Sequence, residues 1–229
     1  MDVFNLSVAP IPQLRIAFIG VGVRGIEAVK RYLQLEVQIV AIAEVGAEAM
    51  QKAKALTAHL PVQPAYYTAP DDWRKLCEHT DIDLLYISTP WQQHAPMAIY
   101  AMQCGKHVAI EVPLAMTIAD CKRIVCTAEE TQRHCIMLEN VCYDQFELMS
   151  IELVKQGKLG ELVHAEGAYI HDLRHLNFRQ TDRDIERGKW RMQYSKTFEG
   201  NPYPTHGIAP ICQAMGILRT DRLESLVSM

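Results

Sequence analysis

The sequence predicts an α/β protein: a doubly wound parallel sheet over residues 13–141, then a second, incomplete α/β domain over residues 142–229. Short, wholly apolar runs alternate with segments of helical apolar spacing, the mark of strands buried on both faces between crossover helices. A glycine-rich hexapeptide closes the first apolar run and opens the first helical segment. From Tyr143 onward the alternation gives way to longer and more polar stretches, so a second domain is expected to begin near residue 142.

After a short extended arm, Leu14–Ile19 reads as a buried strand and Ile26–Leu35 as a helix. Val37–Ala43 is a second buried strand. Asp71–His79 is helical, with Asp71 or Asp72 near its start. Asp83–Ser88 is a third core strand, and Ala95–Cys104 a helix stopped by Gly105. His107–Glu111 is a strand broken by Pro113, Ile118–Thr131 a helix and His134–Leu138 a strand. Parallel units of this kind cross over right-handed. A helix from Tyr143 to Lys155 follows, then the turn Gly157–Gly160 and a long strand, Leu162–Ile170. His171–Glu199 reads as polar and irregular, Gly207–Leu218 as helical, and Leu223–Met229 as the start of another strand. A sheet begun in this way needs more strands to cover its faces and edges, so the second domain is expected to be partial at residue 229.

Composition narrows the function classes. With 49% hydrophobic and 22% charged residues, the chain can build a core. A net charge of −4 with interspersed signs, and no basic block, argues against nucleic acid or an anionic membrane as partner. No apolar run reaches a membrane span, and the first twelve residues do not read as an export signal. The seven cysteines (Cys77, Cys104, Cys121, Cys126, Cys135, Cys142 and Cys212) are odd in number and form no C-x-x-C pair. They fit a reducing cytoplasm, with neither a disulfide framework nor structural zinc. No His, Asp and Glu set has metal spacing, so no metal site is expected.

Gly20-Val21-Gly22-Val23-Arg24-Gly25 is G-x-G-x-x-G in the strand-to-helix context that gives the string meaning. Gly20 permits the tight turn, Gly22 lets backbone approach a pyrophosphate, and Gly25 lets helix and strand pack closely. The helix start then offers N–H groups and a positive dipole end to phosphate. Glu44 ends the second strand, where an acid accepts from both ribose hydroxyls and repels a 2′-phosphate, which favours NAD over NADP.

Ligands of open parallel sheets bind at the carboxyl ends of strands. Thr89–His94, Glu111-Val112-Pro113 and Glu139-Asn140 are expected there. Singly, His94 and Trp91 read as readily as capping and packing residues; together the three clusters point to a nicotinamide pocket. A later cluster comprises Tyr169, Trp190-Arg191 and Gly200–Gly207. His206 is there either a plain helix-start residue or a proton-transfer group, since imidazole titrates near neutrality. Tyr169 is either a site residue or a core-edge tyrosine. His107, His134 and His164 read as structural, while His171 and His175 stay open.

Taken together, the glycine turn, Trp91–His94, Glu111-Val112-Pro113, Leu138-Glu139-Asn140 and Tyr203–His206 resemble the Gfo/Idh/MocA superfamily. Within it the chain is most similar to the NAD-dependent α-N-acetylgalactosaminidases of glycoside hydrolase family 109. The likeness runs from about residue 13 to 229 and is most specific at Gly200–Gly207, with Trp190-Arg191 before it. It implies a Rossmann domain followed by an α/β domain with a large, mostly antiparallel sheet. It also implies that Val23 and Arg24 lie on the dinucleotide phosphates and that Glu44 holds the adenosine ribose. Trp91, His94, Glu111, Val112 and Asn140 would line the nicotinamide end. Tyr169, Arg191, Tyr203, Pro204, Thr205 and His206 would bind the sugar.

The superfamily's dehydrogenases usually carry Glu-Lys-Pro where this chain has Glu111-Val112-Pro113, and valine cannot exchange a proton with a hydroxyl. The resemblance therefore implies a glycosidase that borrows bound NAD⁺ to oxidise sugar C3, eliminates the C1 group, adds water and restores the hydride, one of the exceptions to two-carboxylate chemistry. His206 would be the base at the C3 hydroxyl, with Tyr203 orienting the sugar or sitting by the nicotinamide. Two other readings stay open: an NAD-dependent sugar or cyclitol dehydrogenase using His206 in place of the lysine, and a shortened NAD-binding protein without catalysis. Members of the family are longer than this chain and often assemble through the second sheet, so a homo-oligomer is a further expectation.

Overall fold

Six apolar segments form one fully parallel sheet: β1 (Leu14–Ile19), β2 (Val37–Ala43), β3 (Ala65–Tyr67), β4 (Leu84–Ile87), β5 (His107–Glu111) and β6 (Cys135–Leu138). Their order is β3-β2-β1-β4-β5-β6, so the winding direction reverses between β1 and β4. That reversal opens a crevice at the carboxyl ends of the two central strands. The computed structural model describes residues 3–174, 178, 182–201 and 203–227, with backbone alone for 182–189. His175, Pro202 and the last two residues of the expected strand Leu223–Met229 lie outside the described residues. By internal contacts the chain falls into two units, Met1–Leu138 and Glu139–Met229.

In the first unit the pleat sorts side chains into two cores, because alternate strand residues face opposite sides. Ala17 and Ile19 of β1 join Leu85 and Ile87 of β4 and Val108 and Ile110 of β5 on one face. That face is covered by α3 (Trp73–Glu78), α4 (His94–Gln103) and α5 (Ile118–Thr131), through Leu76, Met97, Met102, Ile124 and others. Ile16, Phe18 and Tyr86 face the other way, against α1 (Val23–Tyr32) and α2 (Ala47–Thr57), through Ala28, Val29, Ala49, Met50 and Ala53. The register of β1 on β2 slips by one residue, since Ile16 pairs with Ile39 but Ala17 with Ala41. The bulge lets Ile39 and Ile42 share one core although three positions apart.

Local chemistry sets the element ends. Thr117 caps α5: its hydroxyl accepts from the Asp120 N–H at 3.0 Å and donates to the Asp120 carboxylate at 2.9 Å. Gly105 takes φ +79° after α4, where it ends the helix. Two elements escape sequence reading here, α2 and the three-residue edge strand β3. The arm also differs from expectation, with a 3-10 turn at Val3–Asn5.

The second unit departs further from expectation. Among its described residues the helices are α6 (Gln145–Lys155), α7 (Asp182–Thr197) and α8 (Pro204–Ala214). Leu162–Ile170 and the described part of Leu223–Met229 carry no strand, and among the described residues of this unit the one β contact is an isolated bridge between Ile217 and Asp221. The expected antiparallel sheet is thus not formed by these residues. A strand exists only through a neighbour's ladder, and alternation in sequence cannot supply that neighbour. The stretch read as irregular, His171–Glu199, contains α7. Its signal lies in Trp190, Tyr194 and Phe198, spaced four apart, with Tyr194 stacked on Phe198 at 4.8 Å.

At the amino ends of the central strands Arg15 grips Asp83. Its Nη2 donates to Oδ1 at 2.7 Å and its Nε to Oδ2 at 2.9 Å, and the Arg15 backbone N–H adds a third bond at 3.0 Å. The Arg15 side-chain hydrogen bonds are the main reason the Asp83 carboxyl lies below the usual carboxylate range; partial burial opposes them. A carboxyl depressed in the folded state stabilises above its unfolded pKa of about 3.9, and that gain is lost as pH falls through the folded value. Asp83→Asn should therefore be less stable than wild type by a constant margin from neutrality to about pH 5, with the margin shrinking below about pH 4. Urea unfolding across this range measures it, and a margin independent of pH would rule out the ion pair as its source.

Candidate functional site

The crevice between β1 and β4 carries the glycine turn. Gly20 adopts φ +84°, and a Cβ there would stand 2.7 Å from the Ser88 carbonyl oxygen. The Ser88 hydroxyl donates to the Gly20 carbonyl at 2.7 Å, tying β4 to the turn. A Cβ on Gly25 would stand 2.2 Å from the Gly20 carbonyl oxygen, so α1 can seat only on a glycine. Gly22 is the opposite case: a Cβ there would meet nothing within 4 Å. Gly22 also caps α1 without a side-chain bond. Its backbone therefore stands open at the end where the helix presents unpaired N–H groups. Val23 is exposed, whereas Val21 is buried beneath the turn.

Glu44 follows β2 and accepts from the Val21 N–H at 2.8 Å and the Gly46 N–H at 2.6 Å. Those bonds fix the carboxylate beside the turn, in the place a ribose diol requires. Arg24 lies in the first turn of α1, and its Nη2 is 3.6 Å from Glu111 Oε2 at the end of β5. Glu111 Oε1 accepts from the Tyr86 hydroxyl at 2.5 Å.

The remaining strand-end residues of the first unit, Trp91, His94 and Val112, are buried. Trp91 is 4% exposed, in a 3-10 turn, Trp91–Gln93, that leads into α4. His94 is fully enclosed, with Nδ1 2.7 Å from the Pro113 carbonyl and Nε2 2.8 Å from the Thr89 carbonyl. Burial pushes its imidazole pKa down, against the pull of those two carbonyls. The His94 ring thus lies between two strand-end loops, and in its neutral form donates to one of the two carbonyls. Val112 is buried, and its bond to Pro113 is cis.

The second unit holds an ionisable pair that the sequence did not reveal. His206, in the first turn of α8, places Nδ1 2.5 Å from Glu139 Oε1, and both side chains are almost wholly buried. Glu139 also accepts from the Val141 N–H at 3.1 Å, in the 3-10 turn Asn140–Tyr143, where Asn140 is exposed. Glu139 Oε2 has no hydrogen-bond partner among the described residues. A carboxylate on Nδ1 selects the tautomer that leaves Nε2 as the proton acceptor.

Around this pair the sugar residues named from sequence come together. The Tyr203 ring stacks on the His206 imidazole at 5.4 Å and 10°, and the Tyr169 ring approaches it at 4.5 Å. Arg191 donates to the Tyr203 hydroxyl and lies over the Trp190 ring at 4.7 Å. Pro204 is the first residue of α8, and the Thr205 hydroxyl is buried without a hydrogen-bond partner among the described residues. Pro210 lacks the N–H that would bond the His206 carbonyl, a break inside α8 one turn after the histidine. Gly167 and Gly207 bring Tyr169 into reach. A Cβ on Gly167 would stand 2.4 Å from the Gly207 carbonyl oxygen. The sequence marks Glu139 only as a strand-end acid and gives Gly167 no role; 67 residues separate Glu139 from His206, and no local pattern marks such a pair.

A strand–turn–helix cradle of this geometry on a 3-2-1-4-5-6 sheet defines a dinucleotide-binding Rossmann protein. Residues 14–139 match the family described as the oxidoreductase family with NAD-binding Rossmann fold, and the chain belongs to that Gfo/Idh/MocA family. Residues 143–229 match the glycosyl hydrolase 109 C-terminal domain. The chain is 49% identical to a protein of Bacteroides fragilis named alpha-N-acetylgalactosaminidase, over 99% of this chain and 54% of that protein. It is also 49% identical to glycosyl hydrolase family 109 protein 2 of Phocaeicola vulgatus, over 100% of this chain and 56% of that protein. The chain thus spans about half the length of these curated relatives. Among solved structures, myo-inositol 2-dehydrogenase of Lactobacillus plantarum superposes with TM-score 0.71 at 20% identity, over 89% of this chain and 57% of that one. The scyllo-inositol dehydrogenase of Lactobacillus casei, with bound NAD(H) and scyllo-inositol, gives 0.69 at 18%, over 89% and 56%. At those identities the likeness is one of fold.

The two glycines separate folding from binding. Gly22→Ala, at the N-cap of α1, should lose no more than about 1 kcal/mol of stability yet bind NAD⁺ at least roughly tenfold more weakly, because its methyl group enters the open approach. Gly25→Ala should lose about 1–3 kcal/mol of stability from overpacking. Denaturant titration and NADH fluorescence measure both, and a Gly22→Ala variant of unchanged affinity would remove the turn from the cofactor site.

Proposed function

We propose that this chain is the cofactor-binding and proton-handling part of an NAD-dependent glycosidase acting on α-N-acetylgalactosaminides. The observation that carries the reading is the buried Glu139–His206 pair, with Tyr169 and Tyr203 against the imidazole. The 49% identity to a protein of that name supports the substrate class.

The residues present fit NAD⁺: an open Gly22 backbone at a helix start, Arg24 in the same turn, and a Glu44 carboxylate fixed by two amides. When bound, the cofactor would supply a hydride acceptor for transient oxidation of sugar C3, which acidifies the C2 hydrogen so that the C1 substituent leaves by elimination, and would return the hydride to C3 once water has added. His206 Nε2 takes the proton of the C3 hydroxyl. Glu139 keeps Nδ1 protonated and balances the imidazolium that results, at a separation of 2.5 Å. Arg191 holds the Tyr203 hydroxyl in place, and Tyr169 closes on the imidazole from another side. Sugar hydroxyls bind through Tyr169, Arg191 and Tyr203, with Pro204 and Thr205 shaping the helix start beneath them. Trp91, His94 and Val112, buried at the strand ends of the first unit, shape the nicotinamide end from beneath. Val112 offers no proton route, which sets this reading above a lysine-type dehydrogenase.

The test is cleavage of an aryl α-N-acetylgalactosaminide with and without added NAD⁺, following NADH absorbance alongside. Cleavage should depend on the cofactor, leave no net NADH, and exchange the C2 hydrogen with solvent deuterium. His206→Ala should lower the rate by ~10²–10⁴-fold, the scale of a positioned general base. NADH accumulating in step with substrate loss would replace this reading with a dehydrogenase.

A further inference from the structure

We propose that Tyr86 is a positioning residue for cofactor binding: through Glu111 it fixes the Arg24 guanidinium at the phosphate-binding turn. The inference rests on the NAD-binding reading of the first unit and assigns a residue that lies outside the glycine motif. Tyr86 belongs to β4 and is 3% exposed. Its ring packs against Phe18 of β1 at 5.3 Å and against Tyr32, the last residue of α1, at 5.9 Å, while Phe18 and Tyr32 meet edge to face at 5.6 Å. The three rings thus lock the phenol to the same strand and helix that form the turn.

A phenol buried so deeply needs a partner for its hydroxyl. It finds one in Glu111 Oε1 at 2.5 Å, and Glu111 itself is 12% exposed. Burial first, then the charge of Glu111, push the phenol pKa upward, so Tyr86 remains a donor throughout the working range. The other carboxylate oxygen faces Arg24 Nη2 at 3.6 Å.

Arg24 needs that counter-charge. A cation in the first turn of a helix opposes the positive dipole end, and no acidic residue lies in the first turn of α1. Glu111, arriving from β5, offsets the repulsion and restrains a long side chain that is 44% exposed. The planar guanidinium fork matches the paired oxygens of a diphosphate. Tyr86 to Glu111 to Arg24 is therefore a relay of two contacts from core to turn. Each step draws on a different strand or helix, so the relay exists only in the folded sheet.

The test is a binding cycle on this chain: wild type, Tyr86→Phe, Arg24→Gln and the double variant, titrated with NADH by fluorescence and with ADP-ribose by competition. Tyr86→Phe keeps the ring packing and removes one hydrogen bond to a charged group, so both ligands should bind roughly tenfold more weakly. Arg24→Gln should weaken both at least as much, and the double variant should bind no more weakly than Arg24→Gln alone. Losses that multiply, wild-type affinity in Tyr86→Phe, or a loss confined to NADH would each overturn the relay. Failure of the wild-type chain to bind either ligand would overturn the NAD-binding reading and the inference with it.

Discussion

The close approach of α1 to the end of β1 governs the first unit. The Gly20 carbonyl occupies the space in which a side chain at residue 25 would begin, 2.2 Å from that would-be Cβ. Because nothing is there, α1 seats directly on the turn and keeps its start beside the reversal between β1 and β4. Ser88 fastens the turn from the β4 side, and the Gly20 N–H donates to the Ala43 carbonyl at 2.8 Å from the β2 side. Three strands thus define a single bend. At the far end of the same helix, Tyr32 meets Phe18 and Tyr86, so the helix that presents the open amides is also wedged into the aromatic core. A cradle built this way is preorganised, and a diphosphate meets backbone donors that need not be rearranged.

The second unit uses a parallel device around different chemistry. The Gly207 carbonyl stands where a side chain on Gly167 would begin, so the segment bearing Tyr169 lies against the start of α8. That contact brings a ring to the histidine without a β-ladder to hold it. The Glu139 carboxylate fixes the imidazole from the other direction, and Tyr203 stacks on its face. His206 is thereby restrained by a charge, a ring plane and a helix start together, as a group held in one orientation for proton transfer requires.

How much of this is legible in the sequence depends on the range of the interaction concerned. Strands such as Val37–Ala43 read clearly, since burial on both faces demands continuous apolar residues. The glycine turn reads clearly because each glycine answers a local steric demand. Helix α2 does not, because its buried face is largely Ala49, Ala53 and Thr57 beside Met50, too weak in hydrophobic contrast to stand out. The alternation in Leu162–Ile170 reads as a strand, yet strand formation is a property of pairs. The site residues divide in the same way: Gly20, Gly22, Gly25, Glu44 and His206 could be named from their neighbours in the chain. The Glu139–His206 pair and the Tyr86–Glu111 contact, 67 and 25 residues apart, depend on topology.

The distribution of engaged groups also says where the chemistry must lie under the proposed reading. At the strand ends of the first unit, Glu44 is held by two backbone amides and Glu111 by Tyr86 and Arg24. His94 has both ring nitrogens on carbonyls, and Val112 presents only carbon. Each of these residues is committed to shaping the cradle, so none is poised to exchange a proton with a substrate hydroxyl. In the second unit the carboxylate on Nδ1 leaves His206 Nε2 as the basic atom. On that reading the NAD-binding scaffold is freed from acid–base work, and a valine at position 112 is tolerable where the Glu139–His206 pair carries the proton.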